Sequence, residues 1–343
     1  MSGTHTVFVL GIDGKPLTPT TPAKARKLLT VGVAKRVWSK FGTFGIQMRE
    51  ETRQETPLTT LGYDPGSKFE GYAVVCDEEN IVSVKLDLPV KDNIVKKLEK
   101  RHTLRRSRRY RKCRRRPARF HNRVRAGFIA PSQRVIVQSR LKVLRAFFAI
   151  YPINRVGLED VRFNHAKQRW GRHFSTAEIG KRRLLEFLQG YGAQISLFQG
   201  FETQALREGY GYHKTAKKAA NTFTAHCTDA LALACSVGPG QPVEPGMFLI
   251  VDDTYRPVRR KLQDEEPAKG GRREKYSRGT VFGIQKGRLI GTRNGKKGQL
   301  CGEYKGGFRY YDQYGKRQNS TKLSWISTQF VIRKGEEQHS HVI

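Results

Sequence analysis

The sequence predicts an α/β fold: one mixed sheet whose strands are scattered along the chain, a long arginine-rich helix between them, a small N-terminal α+β module and a C-terminal β-rich domain. Three observations lead to it. Short apolar runs end in carboxylates at Asp64 and at Glu159-Asp160, and a later alanine- and leucine-rich stretch carries His226 and Asp229. Between Lys96 and Arg125 sixteen residues are Lys or Arg, against one acid, Glu99. From residue 241 onward, short β-branched and aromatic runs alternate with turns marked by glycine.

A length of 343 residues suggests two or three compact units. The formal net charge of +35 decides the partner class, because such an excess repels itself in a compact fold unless a polyanion neutralises it. Nucleic acid is the obvious polyanion, since each phosphate contact also releases condensed counterions. A membrane surface is the rival, but no apolar segment is long enough to span a bilayer. The Thr6-Val7-Phe8-Val9-Leu10 run is too short for a secretory signal and lacks a basic start, so cytoplasmic residence is expected. The five cysteines, Cys76, Cys113, Cys227, Cys235 and Cys301, form no Cys-x-x-Cys pair and read as reduced thiols without zinc.

In chain order, Val7–Leu10 reads as a strand and Asp13-Gly14-Lys15 as a turn. Thr21 is a good helix N-cap, Pro22 a good first helical residue and Gly32 a stop, which predicts a helix between them. Lys24, Arg26 and Lys27 surround its first turns. This is either a generic helix start or a helix terminus that contacts phosphate. Lys35, Arg36 and Lys40 continue the basic surface, and residues 49–57 read as a linker.

Three strand-like runs follow: Leu61–Asp64, Phe69–Cys76 and Ile81–Leu88. Pro65-Gly66 closes the first hairpin, and turn chemistry alone accounts for that pair. Two hairpins with a carboxylate at the lip of the first strand also open a ribonuclease H-like sheet. The arginine block predicts a helix of about 20–25 residues, spanning about 30–40 Å, whose order depends on its ligand. Its arginines, Arg101, Arg105, Arg106, Arg108, Arg109, Arg111, Arg114, Arg115, Arg116, Arg119 and Arg123, suit bidentate phosphate contacts better than lysines would.

Apolar residues at Val135, Val137, Leu141, Leu144, Phe147 and Phe148 have helical spacing. Arg155–Asp160 is a short strand with two terminal carboxylates, and strand alternation lets only one of Glu159 and Asp160 serve a given site. Residues 182–188 form an amphipathic helix, and Ala193–Phe198 a further strand. Thr224–Cys235 reads as one helix with His226 and Asp229 a turn apart on one face. No phosphate-binding loop of the Walker type occurs.

Asp64, Glu159 and Asp229 thus lie on a first strand, a later strand and a final helix. Hard oxygen donors on separate elements suit two Mg²⁺ ions, which take one or two carboxylates with water and substrate phosphate. Such a pair activates water and stabilises the leaving oxygen in phosphodiester cleavage. His226 could orient or deprotonate the attacking water, or ligate a metal.

With these residues in place, the chain resembles the IscB family of transposon-encoded RNA-guided nucleases, and within it the short IsrB branch. Pro16-Leu17-Thr18-Pro19 is similar to the family's Pro-Leu-Met-Pro signature, departing at Thr18. Gly62–Lys68 resembles the first RuvC motif, Gly157-Leu158-Glu159 the second and His226-x-x-Asp229 the third, while the arginine block resembles the bridge helix. The resemblance implies a ribonuclease H-like (RuvC) sheet with split motifs and boundaries at 1–56, 57–90, 91–127, 128–240 and 241–343. It implies Mg²⁺ as cofactor, with Mn²⁺ as substitute, and catalytic Asp64, Glu159, His226 and Asp229. It implies structured guide RNA (omega RNA) and target double-stranded DNA as partners, no protein partner, and a prokaryotic, nucleoid-associated setting.

The relatives' second nuclease module, HNH, has no room here, because only 66 residues separate Glu159 from His226. His165, His173 and His213 give no convincing ββα-metal pattern. By resemblance the product is a nick in the displaced non-target strand, next to a short flanking motif read by the last domain. Two other readings remain: a guide-binding protein without cleavage, and a guide-independent structure-specific resolvase.

Overall fold

In the computed structural model, the structure describes residues 6–41, 43–88, 99–100, 102–107, 110–111, 129, 131–162, 178, 180–252, 280–282, 284–286, 289–294, 296–312, 316–327 and 331–334. The N-terminal module is β1 (Val7–Leu10), β2 (Pro16–Thr20), α1 (Pro22–Val31), β3 (Ala34–Trp38) and β4 (Phe44–Met48). Its sheet has the order β2-β1-β4-β3, with β1 and β4 parallel. The Thr21 side chain caps the Lys24 amide at 3.3 Å, and Gly32 ends α1 at a φ of 85°. Only glycine takes that left-handed conformation without steric cost.

The central sheet begins with β5 (Thr59–Asp64), β6 (Phe69–Cys76) and β7 (Glu79–Asp87), two consecutive antiparallel hairpins. After α2 (Pro131–Phe148), strand β8 (Arg155–Glu159) runs parallel to β5. Then come α3 (Lys181–Gln189), β9 (Gln194–Phe198) parallel to β8, α4 (Gly200–Gly209), α5 (Phe223–His226) and α6 (Thr228–Val237). Counting from β5, these five strands lie in the order 3-2-1-4-5, with β6 alone running against the other four.

Strand alternation sorts the two faces. Leu61, Tyr63, Tyr72, Val74, Val84, Val156 and Leu158 pack with Val143, Leu144 and Phe147 of α2 in one core. Ala73 and Val75, on the opposite face, pack with Ala230, Leu231 and Ala234 of α6. With both faces covered, nearly every residue of β5, β6 and β7 is buried.

The remaining strands are β10 (Met247–Asp252), β11 (Thr280–Val281), β12 (Ile284–Gln285), β13 (Leu289–Thr292), β14 (Lys297–Tyr304), β15 (Gly307–Tyr311), β16 (Arg317–Ser320), β17 (Leu323–Ser327) and β18 (Val331–Lys334). Five of them form the sheet β16-β15-β14-β13-β17. The first and last do not. β10 pairs parallel to β7 and β18 antiparallel to β10, which brings the central sheet to seven strands. The stretch read as one terminal domain therefore lends strands to the central sheet from both its ends.

A second difference concerns the helix expected over 224–235. It is broken into α5 and α6 at Cys227, whose φ of −113° and ψ of −8° leave the helical path. The Thr228 hydroxyl lies there within 3.3 Å of the His213 carbonyl and 3.4 Å of the Thr224 carbonyl. Such back-bonding bends helices.

Most of the arginine block lies outside the described residues, including Arg101, Arg108, Arg109, Arg114, Arg115, Arg116, Arg119 and Arg123. Residues 102–107 are helical, and Arg105, Arg106 and Arg111 are exposed. Among the described residues no helix is long and apolar enough to cross a membrane, and Cys76, Cys227 and Cys235 are buried thiols.

Candidate metal centre

Each of two strands carries a glycine two residues before its carboxylate: Gly62 before Asp64 on β5, and Gly157 before Glu159 on β8. A spacing of two puts glycine and carboxylate on the same face. Gly62 and Gly157 are also register partners, and Asp64 pairs with Gly71 of β6. The three glycines form a groove under α5 and α6. A Cβ on Gly62 would lie 1.7 Å from the Ala230 carbonyl oxygen, on Gly71 2.0 Å from that of His226, and on Gly157 2.6 Å from that of Leu233. Nothing larger than hydrogen fits, so the helix backbone rests directly on the sheet.

This close approach delivers Asp229, at the start of α6, to the two strand ends. Asp64, Glu159 and Asp229 each offer a carboxylate oxygen, and these oxygens all lie within 4.8 Å of one another. Asp64 and Glu159 are half-buried and Asp229 is buried. Burial, and after it the charges of Glu159 and Asp229, push the Asp64 pKa well above the usual carboxylate value, with Lys214 partly opposing. Burial raises Glu159 as well, with Asp229 adding and a hydrogen bond to Asp64 working against it. All-oxygen donors, mutually repelling and partly withdrawn from water, fit a hard divalent cation such as Mg²⁺.

Three cations surround this centre that sequence reasoning did not single out. Arg207 of α4 donates to Asp229 Oδ1 at 2.8 Å, and Lys214 donates to Asp229 Oδ2. Arg140 of α2 acts from the other face. Its Nε donates to Glu70 Oε1 at 2.6 Å, and its Nη2 reaches the Gly66 carbonyl at 3.2 Å. That second bond ties down the Pro65-Gly66 turn after Asp64. Glu70 Oε2 accepts from the hydroxyls of Tyr63 and Tyr72, both at 2.9 Å, and the two rings stack with centroids 4.5 Å apart. An acid on the same face as Tyr72 and Val74 of a buried strand signals a buried cationic partner. Nothing local identifies which of the chain's 65 Lys and Arg residues supplies it.

The other predicted site residues fall elsewhere. His226 stays out of the carboxylate group: its Nε2 lies 2.9 Å from the Ala220 carbonyl, and its ring meets the edge of Phe69 with centroids 4.9 Å apart. Burial, then the charge of Lys85, holds its pKa below the usual histidine value. Lys85 is itself buried, with Nζ 2.7 Å from Asn221 Oδ1, 2.9 Å from Asp87 Oδ1 and 4.1 Å above the Phe69 ring. Asp160 is buried away from the three carboxylates, bonded by Arg162 at 2.6 Å and by Lys181. Burial alone would raise its pKa, but those two partners outweigh burial and lower it. Lys24, Arg26 and Lys27 lie on α1 in the separate N-terminal sheet module; Lys24 is exposed.

No curated protein matches the chain. Among solved structures, it is similar to Thermus thermophilus RuvC in complex with a Holliday junction substrate, at 13% identity, covering 52% of this chain and 90% of that one, with a TM-score of 0.27. A second Thermus thermophilus RuvC structure matches at 16% identity over 52% and 91%, with a TM-score of 0.26. The RRXRR protein family matches residues 7–180, a span that includes Arg105-Arg106-Ser107-Arg108-Arg109. With half of its length so matched, the chain belongs to the RRXRR family, which is found in IscB- and IsrB-like proteins.

Proposed function

We propose that this protein is an RNA-guided DNA endonuclease that nicks one strand, the non-target strand displaced when guide RNA pairs with its target. The observation that carries this reading is the convergence of Asp64, Glu159 and Asp229 on one face of a 3-2-1-4-5 sheet. These carboxylates would hold Mg²⁺. Bound there, the metal supplies water activation and leaving-oxygen stabilisation for phosphodiester hydrolysis.

The chain's own residues prepare that chemistry. The glycine groove fixes how far Asp229 stands from Asp64 and Glu159. Arg140 holds the turn that follows Asp64 at the end of β5. Arg207 orients the Asp229 carboxylate through Oδ1. His226 keeps the entry to α5 in place through the Ala220 carbonyl, a positioning role in this arrangement rather than a ligand's.

Guide dependence rests on membership of the RRXRR family, the arginine block and the net charge of +35. In this reading the 1–56 module and the basic 91–127 segment hold the guide RNA, 57–90 and 128–240 carry the nuclease, and the sheet within 241–343 reads the flanking DNA motif. Base pairing supplies sequence specificity, and protein contacts to backbone and flanking motif supply the rest.

The test is nicking of supercoiled plasmid by purified protein with Mg²⁺, with and without a matched guide RNA. The reading predicts open-circular product only with the guide. Equal nicking without guide points to a free-standing resolvase, and guide-dependent binding with no nicking points to a binding protein.

A further inference from the structure

The carboxylate Asp229 is already occupied by cations of the chain itself. Arg207 takes Oδ1 and Lys214 takes Oδ2, so a metal approaching either oxygen meets a cation already bonded there. The two cations differ in how they are held. Arg207 projects from helix α4 with its side chain 16% exposed, and its own carbonyl accepts from the Tyr212 amide at 3.0 Å. Lys214 lies in the connection between α4 and α5, with its side chain 34% exposed.

That connection is nevertheless built against the metal centre. The Thr215 amide donates to the Thr224 carbonyl at 3.1 Å, and the His213 carbonyl lies 3.3 Å from the Thr228 hydroxyl. The residues on either side of Lys214 are thus pinned to the helix pair that carries Asp229. The ammonium is bonded to one member of a group whose three carboxylates offer oxygens within 4.8 Å of one another, so its charge stands close to Asp64 and Glu159 as well. One lysine therefore does for all three carboxylates, weakly, what a divalent ion would do strongly.

Resting on the metal-centre reading above, we propose that Lys214 is a built-in counter-ion of that centre: it holds Asp229 Oδ2 in the metal-free protein and gives up that oxygen when the divalent ion binds, while Arg207 remains on Oδ1. The long, unbranched lysine stem swings away without moving the backbone, whereas the planar, better-buried guanidinium stays. The exchange keeps three repelling carboxylates assembled before metal arrives, and it leaves a free ammonium beside the place where a substrate phosphate would sit.

Two measurements test this without reading cleavage. In the first, Mn²⁺ binding to the nucleic-acid-free protein is followed by electron paramagnetic resonance for wild type, Lys214→Met and, as control, Lys217→Met. Removing a competing, partly exposed ion pair should tighten Mn²⁺ binding by about two- to fivefold in Lys214→Met, with Lys217→Met like wild type. In the second, wild-type protein is acylated with an amine-reactive ester and mapped by mass spectrometry, with and without saturating Mg²⁺. Labelling of Lys214 should rise on metal loading while that of Lys217 stays level. Unchanged or weaker Mn²⁺ binding by Lys214→Met, or Lys214 labelling that does not rise, overturns the counter-ion role and leaves the metal centre standing. Absence of Mn²⁺ binding in all three proteins overturns the metal centre along with it.

Discussion

Asp64 is a carboxylate held against its own charge by the fold. Its pKa is raised by burial, then by Glu159 and Asp229, so the folded protein binds its proton more tightly than the unfolded chain does. The stability this contributes is fully present below the unfolded value of about 3.9 and is lost as pH rises through the raised folded value. Asp64→Asn removes the penalty. In EDTA its Tm should exceed that of wild type, by about 2–4 °C per kcal/mol relieved, and the difference should grow with rising pH above about 4. Saturating Mg²⁺ should reverse the order by stabilising wild type alone, as differential scanning calorimetry can show.

Arg140 is the opposite case. It pairs with Glu70 and both side chains are buried, so Arg140→Met strands a carboxylate in the core and should cost about 3–5 kcal/mol in urea unfolding. Adding Glu70→Gln should recover much of that loss. The three clustered carboxylates were readable because each ends a short apolar run or starts an apolar helix. Arg140, Arg207 and Lys214 were not, since their partners lie 70, 22 and 15 residues away and no local pattern marks an inward-turning cation.

Elements are placed here by what they lack. Gly62, Gly71 and Gly157 let the α5–α6 backbone touch the sheet, and a methyl group at Gly62 would collide with a carbonyl oxygen at 1.7 Å. Gly62→Ala should therefore lower unfolding stability by about 3 kcal/mol or more, beyond ordinary overpacking. Gly209→Ala, with open space around its Cβ, should be neutral or stabilising by about 0.4–1 kcal/mol. Strand positions were readable from apolar runs bounded by turn residues. The break at Cys227 was not, because Thr224–Cys235 has unbroken helix propensity and the bend depends on contacts with the distant His213 carbonyl. The recruitment of β10 and β18 by the central sheet was hidden for a related reason: an apolar strand announces that it needs neighbours but not which ones.

At the scale of the whole molecule, two kinds of order meet. A sheet buried on both faces holds a carboxylate centre in fixed geometry, and a charge of +35 surrounds it with a demand for polyanion. Nucleic-acid binding should weaken steeply with salt, because each neutralised phosphate releases counterions at a log–log slope of about −0.9 per contact on duplex DNA. Asp64→Asn should leave that slope unchanged. The central claim is that Asp64, Glu159 and Asp229 form the cleavage centre. It is tested most directly by incubating guide-loaded wild-type and Asp64→Asn proteins with matched supercoiled plasmid in Mg²⁺ or EDTA, scoring open-circular product and guide-dependent binding together. The account predicts nicking by wild type in Mg²⁺ alone, with binding intact and nicking abolished in Asp64→Asn. Nicking that survives either Asp64→Asn or EDTA would contradict it.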